Sequence, residues 1–137
     1  MTTTDTTTTT EAGANLAINL VVDVWLETTL NPKRDVIAAV RCVVMSDERI
    51  SETIKYRAPA FLHGGIMAYF HWSAKDFASL IFPSGSRIPG AFDVLDGTGL
   101  QRVIRFRTVN EVGAHRDQLL DIVDAWCAIS ETPPSRR

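Results

Sequence analysis

The sequence has few cysteines, no long apolar run and almost no net charge, and each absence argues against a class of protein. Among 137 residues there are two cysteines, Cys42 and Cys127, and no Cys-x-x-Cys or zinc-ligand spacing. A disulfide-stapled scaffold is therefore not expected, and both thiols are predicted to be reduced and buried. The longest apolar run, 18–26, is broken by Asn19 and Asp23. It is far shorter than the roughly 20 residues of a membrane-spanning helix.

The charge balance gives no sign of a polyanionic partner. The formal net charge is −2 and the isoelectric point is about 5.9. A field this weak would not steer the protein to nucleic acid or to an anionic membrane. Met1 is followed by threonines rather than by a basic segment and an apolar core, so a secretory signal is not expected. These features predict a cytoplasmic protein with neither a nucleic-acid nor a membrane partner.

The two ends of the chain differ in composition from its middle. Eight of the first ten residues are threonine. Such a run has no apolar face whose burial could offset the entropy of ordering it, so we predict a disordered tail over 1–14. The segment 132–137 is rich in proline and arginine and predicts a second, short tail. One domain over 15–131 remains.

Helical periodicity occurs at both ends of this domain. The first predicted helix has an apolar stripe formed by Leu16, Leu20, Val21, Val24 and Trp25. Asn31-Pro32 predicts the start of a second helix, with the stripe Val36, Ile37, Val40, Val43 and Val44. Thr108 and Glu111 have the spacing of a capping box. The single helix predicted after them would bury Leu119, Leu120, Ile122, Val123, Trp126 and Cys127.

Between the helices the period changes to two, which predicts strands. The first begins near Ile50 and is expected to end at Pro59; the others cover 66–72, 77–82 and 102–107, and 87–100 is irregular. Strands joined by short loops pair antiparallel, and helices with one apolar stripe must cover a sheet face. The predicted fold is therefore α+β, a two-layer sandwich. It has an antiparallel sheet of four or more strands, with the N- and C-terminal helices on one face.

The segment 50–61 is the most distinctive in the chain. It carries, in order, Ile50, Glu52, Ile54, Lys55, Tyr56, Ala58, Pro59 and Phe61. This order resembles the signature of the YdhG-like family of small bacterial domains, most of which have no assigned function, with Tyr56 at the family's tryptophan position. The resemblance covers about 21–129 and implies a frataxin-like fold. It provides no family-wide catalytic residue, and one relative is described as an iron chaperone.

Two features of the predicted strands suggest a ligand site. If alternation holds, the sheet face turned away from the helices carries Lys55, Arg57, Tyr69, His71, Arg105 and Arg107. Cations beside aromatic rings can hold an anionic or planar ligand, although an open sheet face is normally polar and solvated. The second feature is the pair Glu52 and Lys55 within the segment 50–61. The two residues form either a structural ion pair or the polar part of a pocket. The predicted ligand-binding set is Glu52, Lys55, Tyr56, Arg57, Tyr69, His71 and Arg102.

An acidic helix face offers the alternative of a metal site. Its members are Glu111, His115, Asp117, Asp121 and Asp124. Carboxylate oxygens can hold iron, but Arg116 lies within the cluster, and a solvated helix face explains it equally well. No catalytic sequence motif occurs in the chain.

The sequence therefore favours a non-enzymatic binding module, without a cofactor, for a small ligand or a protein partner. A frataxin-like iron chaperone is the alternative. The open sheet face could also form a homodimer.

Overall fold

The part of the chain between residues 19 and 131 runs as two helices, five strands and two further helices. The computed structural model describes residues 19–131, so the predicted tails over 1–14 and 132–137 lie outside it. The elements are α1 (Leu20–Thr28), α2 (Arg34–Val44), β1 (Ser51–Lys55), β2 (Ala58–Leu62), β3 (Ile66–Phe70), β4 (Ala78–Phe82), β5 (Arg102–Phe106), α3 (Val109–Ala114) and α4 (Arg116–Glu131). A single 3₁₀ turn, Gly85–Arg87, lies between β4 and β5. No helix in the described part of the chain is long and apolar enough to cross a membrane.

The five strands form one antiparallel meander in the order β1-β2-β3-β4-β5. The predicted α+β class and antiparallel sheet are confirmed. The prediction that the first strand ends at Pro59 is wrong, because Pro59 lies inside β2 opposite Ile54. Proline is unfavourable within a sheet because it lacks an N–H donor. Here the pairing of β2 with β3 begins at Ala60, one residue later, so the missing donor interrupts no β2–β3 pair.

Alternation along the strands separates a core face from an open face. The core-facing side chains include Phe61, Phe70, Leu80, Ile104 and Phe106, all buried. They form one cluster with apolar side chains of α2, α3 and α4, so these helices cover this face. Side chains of the other parity, such as Thr53, Tyr69, Ile81 and Arg105, remain partly or fully accessible. Each buried large apolar side chain contributes roughly 1.5–3 kcal/mol, which makes this alternation the main determinant of the sheet's orientation.

The apolar stripe predicted for the first helix is wrong. Val22 is the residue of α1 that is fully buried, whereas Leu20, Val21 and Val24 are more than half exposed. The Asp23 carboxylate lies 2.7 Å from the Arg41 guanidinium of α2, so this side of α1 faces α2. Val22, the preceding residue, faces the interior.

The other helix boundaries follow the predicted polar signals with small shifts. In α2 the stripe is confirmed, but the helix begins at Arg34, three residues after Asn31. The Asn31 side chain accepts a hydrogen bond from the Lys33 amide just before the helix. The single last helix is in fact two, divided at His115. Thr108 caps α3 by accepting from the Glu111 amide at 3.2 Å. The Glu111 carboxylate accepts from the Arg107 amide at 2.6 Å, one residue earlier than a standard capping box requires.

The two cysteines differ in burial. Cys127 is buried as predicted, but Cys42 is exposed on α2. The two cysteines do not form a disulfide with each other. The α2 stripe explains the difference, since Ile37, Val40 and Val44 face the core and Cys42 lies off that stripe.

A charged cluster after α2 predicts a change of stability at acid pH. Hydrogen bonds from the Arg49 guanidinium (2.7 and 3.0 Å) and amide (3.0 Å) hold the pKa of Asp47 below its usual value of 3.8. A carboxylate with a lowered pKa stabilises the fold above its unfolded-state pKa and loses this contribution as pH falls through the folded-state pKa. We expect Asp47→Asn to lose less unfolding free energy than the wild type between about pH 6 and about pH 3, measured by urea unfolding. Asp93→Asn, an exposed carboxylate, is the control; equal losses in wild type and Asp47→Asn would contradict the assignment.

Candidate ligand-binding site

The turn between β1 and β2 is the most strained part of the described backbone. Lys55 pairs with Ala58, which leaves Tyr56 and Arg57 as the two central residues of a hairpin loop. Their φ angles are 54° and 69°, so both lie in the left-handed region. Two-residue hairpin turns with positive φ at both positions usually carry Asn-Gly or Asp-Gly. For a residue with a Cβ, this conformation is unfavourable by roughly 1–2 kcal/mol.

Side chains from three other elements hold this turn in place. The Trp25 indole N–H of α1 donates to the Arg57 carbonyl at 2.9 Å. The Tyr56 ring packs on Tyr69 of β3, with ring centroids 4.7 Å apart and planes tilted by 58°. The Arg57 guanidinium lies over the Trp72 ring, 4.0 Å from its centroid. The turn therefore presents a fixed surface, although Tyr56 is 62% exposed.

The contacts made by the two turn side chains, about 1–2.5 kcal/mol together, are on average smaller than the strain they accompany. An aromatic pair contributes about 0.5–1.5 kcal/mol and an exposed cation–π contact about 0.5–1 kcal/mol. Two left-handed residues together are unfavourable by roughly 2–4 kcal/mol. An Asn-Gly turn would satisfy the hairpin at least as well, so fold stability alone does not favour Tyr-Arg here. Strained non-glycine residues of this kind cluster at functional sites.

A cleft of about 360 Å³ opens beside this turn. Its lining consists of Thr29, Leu30, Asn31, Pro32, Trp72, Ser73 and Lys75, which belong to the α1–α2 and β3–β4 loops. The Asn31 side-chain amide donates to the carbonyls of Trp72 (3.1 Å) and Ala74 (3.2 Å), and so joins the two loops. The cleft is thus formed before any ligand arrives. We refer to the cleft together with Tyr56 and Arg57 as the turn site.

The turn site is basic as well as aromatic. Within residues 19–131, the side chains of Lys55, Arg57 and Lys75 form no ion pair with a carboxylate. At the same end of the sheet, the Arg107 guanidinium lies over the Phe77 ring at 4.7 Å. Arginines held on ring faces keep their N–H edges available to an anionic group. This arrangement is suited to binding an anion.

Five of the predicted ligand-binding residues belong to this end of the sheet. Tyr56 and Arg57 form the turn, Lys55 precedes it, Tyr69 contacts it, and His71 follows β3 beside Trp72. The His71 side chain is exposed, and its Nδ1 accepts from the Ser73 amide at 3.3 Å. The prediction therefore identified this group, but placed it across the open face instead of at one end of the sheet.

The arginines of β5 are not part of this group. Arg105 lies four strands away from Lys55, which corresponds to about 19 Å at the usual strand spacing. It binds Asp96 at 3.2 Å. Arg102 is at the opposite end of β5, where it pairs with Phe82 and lies against Gly85. The prediction that Arg102 shares one ligand-binding set with Tyr56 and His71 is thus wrong. The position of Arg102 relative to them depends on the strand register, which the sequence does not reveal.

Glu52 lies on the core face and away from Lys55. It accepts from Arg41 Nε at 2.8 Å and Nη2 at 2.5 Å, and from the Asn19 amide at 2.9 Å. The charge on Glu52 strengthens the hold of Arg41 on its proton, so the pKa of Arg41 is raised. The possible Glu52–Lys55 pair does not form, because alternation puts the two side chains on opposite faces. Glu52 joins α1, α2 and β1 and takes no part in the turn site.

The acidic set on the last helices is not gathered into one site. Among the described residues, no group of three or more His, Cys, Asp or Glu side chains could hold a metal ion. Asp124 binds Arg49 at 3.0 Å, and Glu111 accepts from the Arg107 amide. Asp117 and Asp121 are exposed, and His115 ends α3. Their roles are therefore a helix cap for Glu111, an ion pair for Asp124 and exposure to solvent for Asp117 and Asp121.

The cleft residues are the part of the site that sequence reasoning missed. Trp72 was expected to be the last residue of a strand over 66–72, but β3 ends at Phe70 and Trp72 is 45% exposed. Asn31 and Pro32 signalled a helix start and gave no indication of contact with the β3–β4 loop. The one available signal was the tryptophan directly before a polar loop, Ser73 to Asp76.

Comparisons with known proteins add no family to this description. No family model matches the chain, and no curated protein or solved structure matches it. The resemblance to the YdhG-like family therefore stays a prediction.

Proposed function

We propose that this chain is a non-enzymatic binding module that holds a small ligand at the turn site. The observation that carries the proposal is the Tyr56-Arg57 turn, where two bulky residues occupy left-handed positions. Their own contacts offset the strain only in part, so a ligand that contacts their side chains supplies a reason for their presence.

The chemistry of the site supports binding. Arg57 lies on Trp72 without a carboxylate partner in the described part of the chain, and Tyr56 is exposed next to it. Rings supply stacking surfaces, and cations supply donors for an anionic group. Small-molecule sites commonly combine an apolar cleft of about 300–1,000 Å³ with a few convergent polar groups, and this cleft is at the lower end of that range.

The proposal extends to the family and the location. The order of helices, sheet and helices is in keeping with the compact helix–sheet–helix fold that the YdhG-like, frataxin-like resemblance implies, and Lys55-Tyr56 of the resembling segment lies at the turn. The two cysteines, which do not pair in a disulfide, support a cytoplasmic location. The iron-chaperone alternative gains no such support, since Glu111 and Asp124 are engaged by other residues.

Amide NMR with a fragment set tests the proposed function. The set would contain neutral and acidic single-ring compounds at millimolar concentration. We expect hits to shift the amide signals of 55–58 and 71–75 in the wild type, and these shifts to disappear in a Tyr56→Ala/Arg57→Ala double variant. Arg87→Ala, which removes an exposed arginine of the β4–β5 connection, is the matched control and should keep them. Hits that shift other surfaces only, or no hits at all, would exclude the turn site.

A further inference from the structure

The cleft beside the turn combines an apolar wall with cations, which identifies the class of ligand. We propose that the turn site binds a planar aromatic molecule that carries an anionic group, such as a phosphate or a carboxylate. This inference rests on the proposed function. In it, the ring lies in the cleft against Trp72, and Arg57 and Lys75 hold the anionic group.

The apolar half of the argument comes from Leu30, Pro32 and Trp72. Leu30 is 97% exposed at the cleft, although leucine gains roughly 1.5–3 kcal/mol when it is buried. Trp72 lines the same cleft and is 45% exposed, with Arg57 lying over one face of its ring. A flat apolar ligand between Leu30 and the indole would remove both from water. Aromatic rings also stack favourably on an indole.

The charged half comes from Lys75 and Arg57. Among the residues that the structure describes, Lys75 is the only charged side chain that lines the cleft, and no carboxylate lines it. Arg57 meets the cleft at Trp72, where its guanidinium already lies flat on the ring. Asp76 is exposed in the same loop but is not part of the lining. The lining is therefore complementary to negative charge, and a neutral ring would leave both cations without a partner.

The rigidity of the cleft favours a small ligand over an extended chain. The Asn31 side-chain nitrogen donates to two carbonyls of the β3–β4 loop, and its side-chain oxygen accepts from the Lys33 amide at 2.8 Å. Thr29 accepts from the Asn31 amide at 3.2 Å. Both walls are thus held before binding, which lowers the entropic penalty of capturing a compact molecule. A volume of about 360 Å³ accommodates a substituted ring system rather than a peptide segment.

Three matched probes separate the contributions of ring and charge. Phenyl phosphate carries both, benzyl alcohol carries the ring alone, and inorganic phosphate carries the charge alone. We expect phenyl phosphate to bind at least about tenfold more tightly than either of the others, in amide NMR titrations of the full chain. Lys75→Gln should reduce the affinity for phenyl phosphate without changing that for benzyl alcohol. Leu30→Ala should weaken both ring compounds, whereas Leu100→Ala, at an exposed leucine outside the cleft, should change neither.

The outcomes distinguish this inference from the proposed function beneath it. Equal binding of benzyl alcohol and phenyl phosphate at 71–75 would overturn the anionic part and leave a small-ligand site standing. Equal binding of inorganic phosphate and phenyl phosphate would overturn the aromatic part. If none of the probes, and no fragment of the wider set, shifts the signals of 55–58 or 71–75, the proposed function itself is wrong.

Discussion

Glu52→Gln should lower the free energy of unfolding by about 2–3 kcal/mol, the largest stability effect that we expect from a single conservative change. Glu52 is almost fully buried and meets two guanidinium nitrogens of Arg41 and the amide of Asn19. Glutamine keeps the shape of the side chain and removes its charge. It also presents an N–H group where the carboxylate now accepts a hydrogen bond.

The size of this effect follows from what remains beside Arg41. Removing one partner of a buried ion pair typically lowers stability by roughly 3–5 kcal/mol, because the other charge is left without compensation. In this protein Asp23 still lies 2.7 Å from Arg41. Asp23 is partly exposed to solvent, so it compensates incompletely, and the expected loss falls just below that range.

Urea unfolding of purified variants at neutral pH measures this loss. Glu48→Gln is the matched control, since it makes the same change at an exposed position, and it should remain within about 0.5 kcal/mol of the wild type. A Glu52→Gln variant as stable as the Glu48→Gln control would show that the Arg41–Glu52 pair does not join α1, α2 and β1 as described. Because Glu52 is remote from the turn, we expect Glu52→Gln to keep its affinity for ring compounds.

Tyr56→Asn/Arg57→Gly should leave stability nearly unchanged while it lowers ligand affinity at least about tenfold. The variant replaces a strained turn with the residues that this turn geometry prefers, which removes roughly 2–4 kcal/mol of strain. It also loses the Tyr56–Tyr69 and Arg57–Trp72 contacts, which together contribute about 1–2.5 kcal/mol of stability. Added backbone freedom of glycine in the unfolded chain reduces the gain by about 0.5–1 kcal/mol. These ranges add up to a change between about 1.5 kcal/mol of destabilisation and about 2.5 kcal/mol of stabilisation, centred close to zero.

A two-way comparison makes this prediction specific. Thermal or urea unfolding should place the double variant within about 1 kcal/mol of the wild type, or above it. A loss of more than about 2 kcal/mol would mean that the two side chains are needed mainly for stability. Tyr56→Gly/Arg57→Asn has the same composition in reverse order and should be less stable than the Asn-Gly form, because glycine is preferred at the second position.

The core of the fold could be predicted from the sequence because it depends on local periodicity. Phe70 lies between Tyr69 and His71, and Phe106 lies between Arg105 and Arg107, so the alternation of these residues indicated which face is buried. The error at β2 has a local cause too. Pro59 normally ends a strand, and the structure accommodates it where the β2–β3 pairing has not yet begun. Nothing in the order of the residues reveals that register.

The candidate site could be predicted only in part, because it depends on contacts between distant segments. Lys55, Tyr56 and Arg57 are adjacent in sequence, so their joint location was accessible from the chain. A Tyr-Arg pair gives no sign of a left-handed turn, since such turns are expected to carry glycine or asparagine. The cleft depends on Asn31 reaching Trp72, a separation of 41 residues, for which the sequence offers no rule.

The central claim is that Tyr56 and Arg57 hold their strained positions in order to contact a ligand. The most direct measurement is an amide NMR titration of the wild type and of the Tyr56→Asn/Arg57→Gly variant with phenyl phosphate. We predict that the affinity falls at least about tenfold in a variant whose unfolding free energy is unchanged. Equal affinity in the two proteins would contradict the claim, because the turn side chains would then be dispensable for binding.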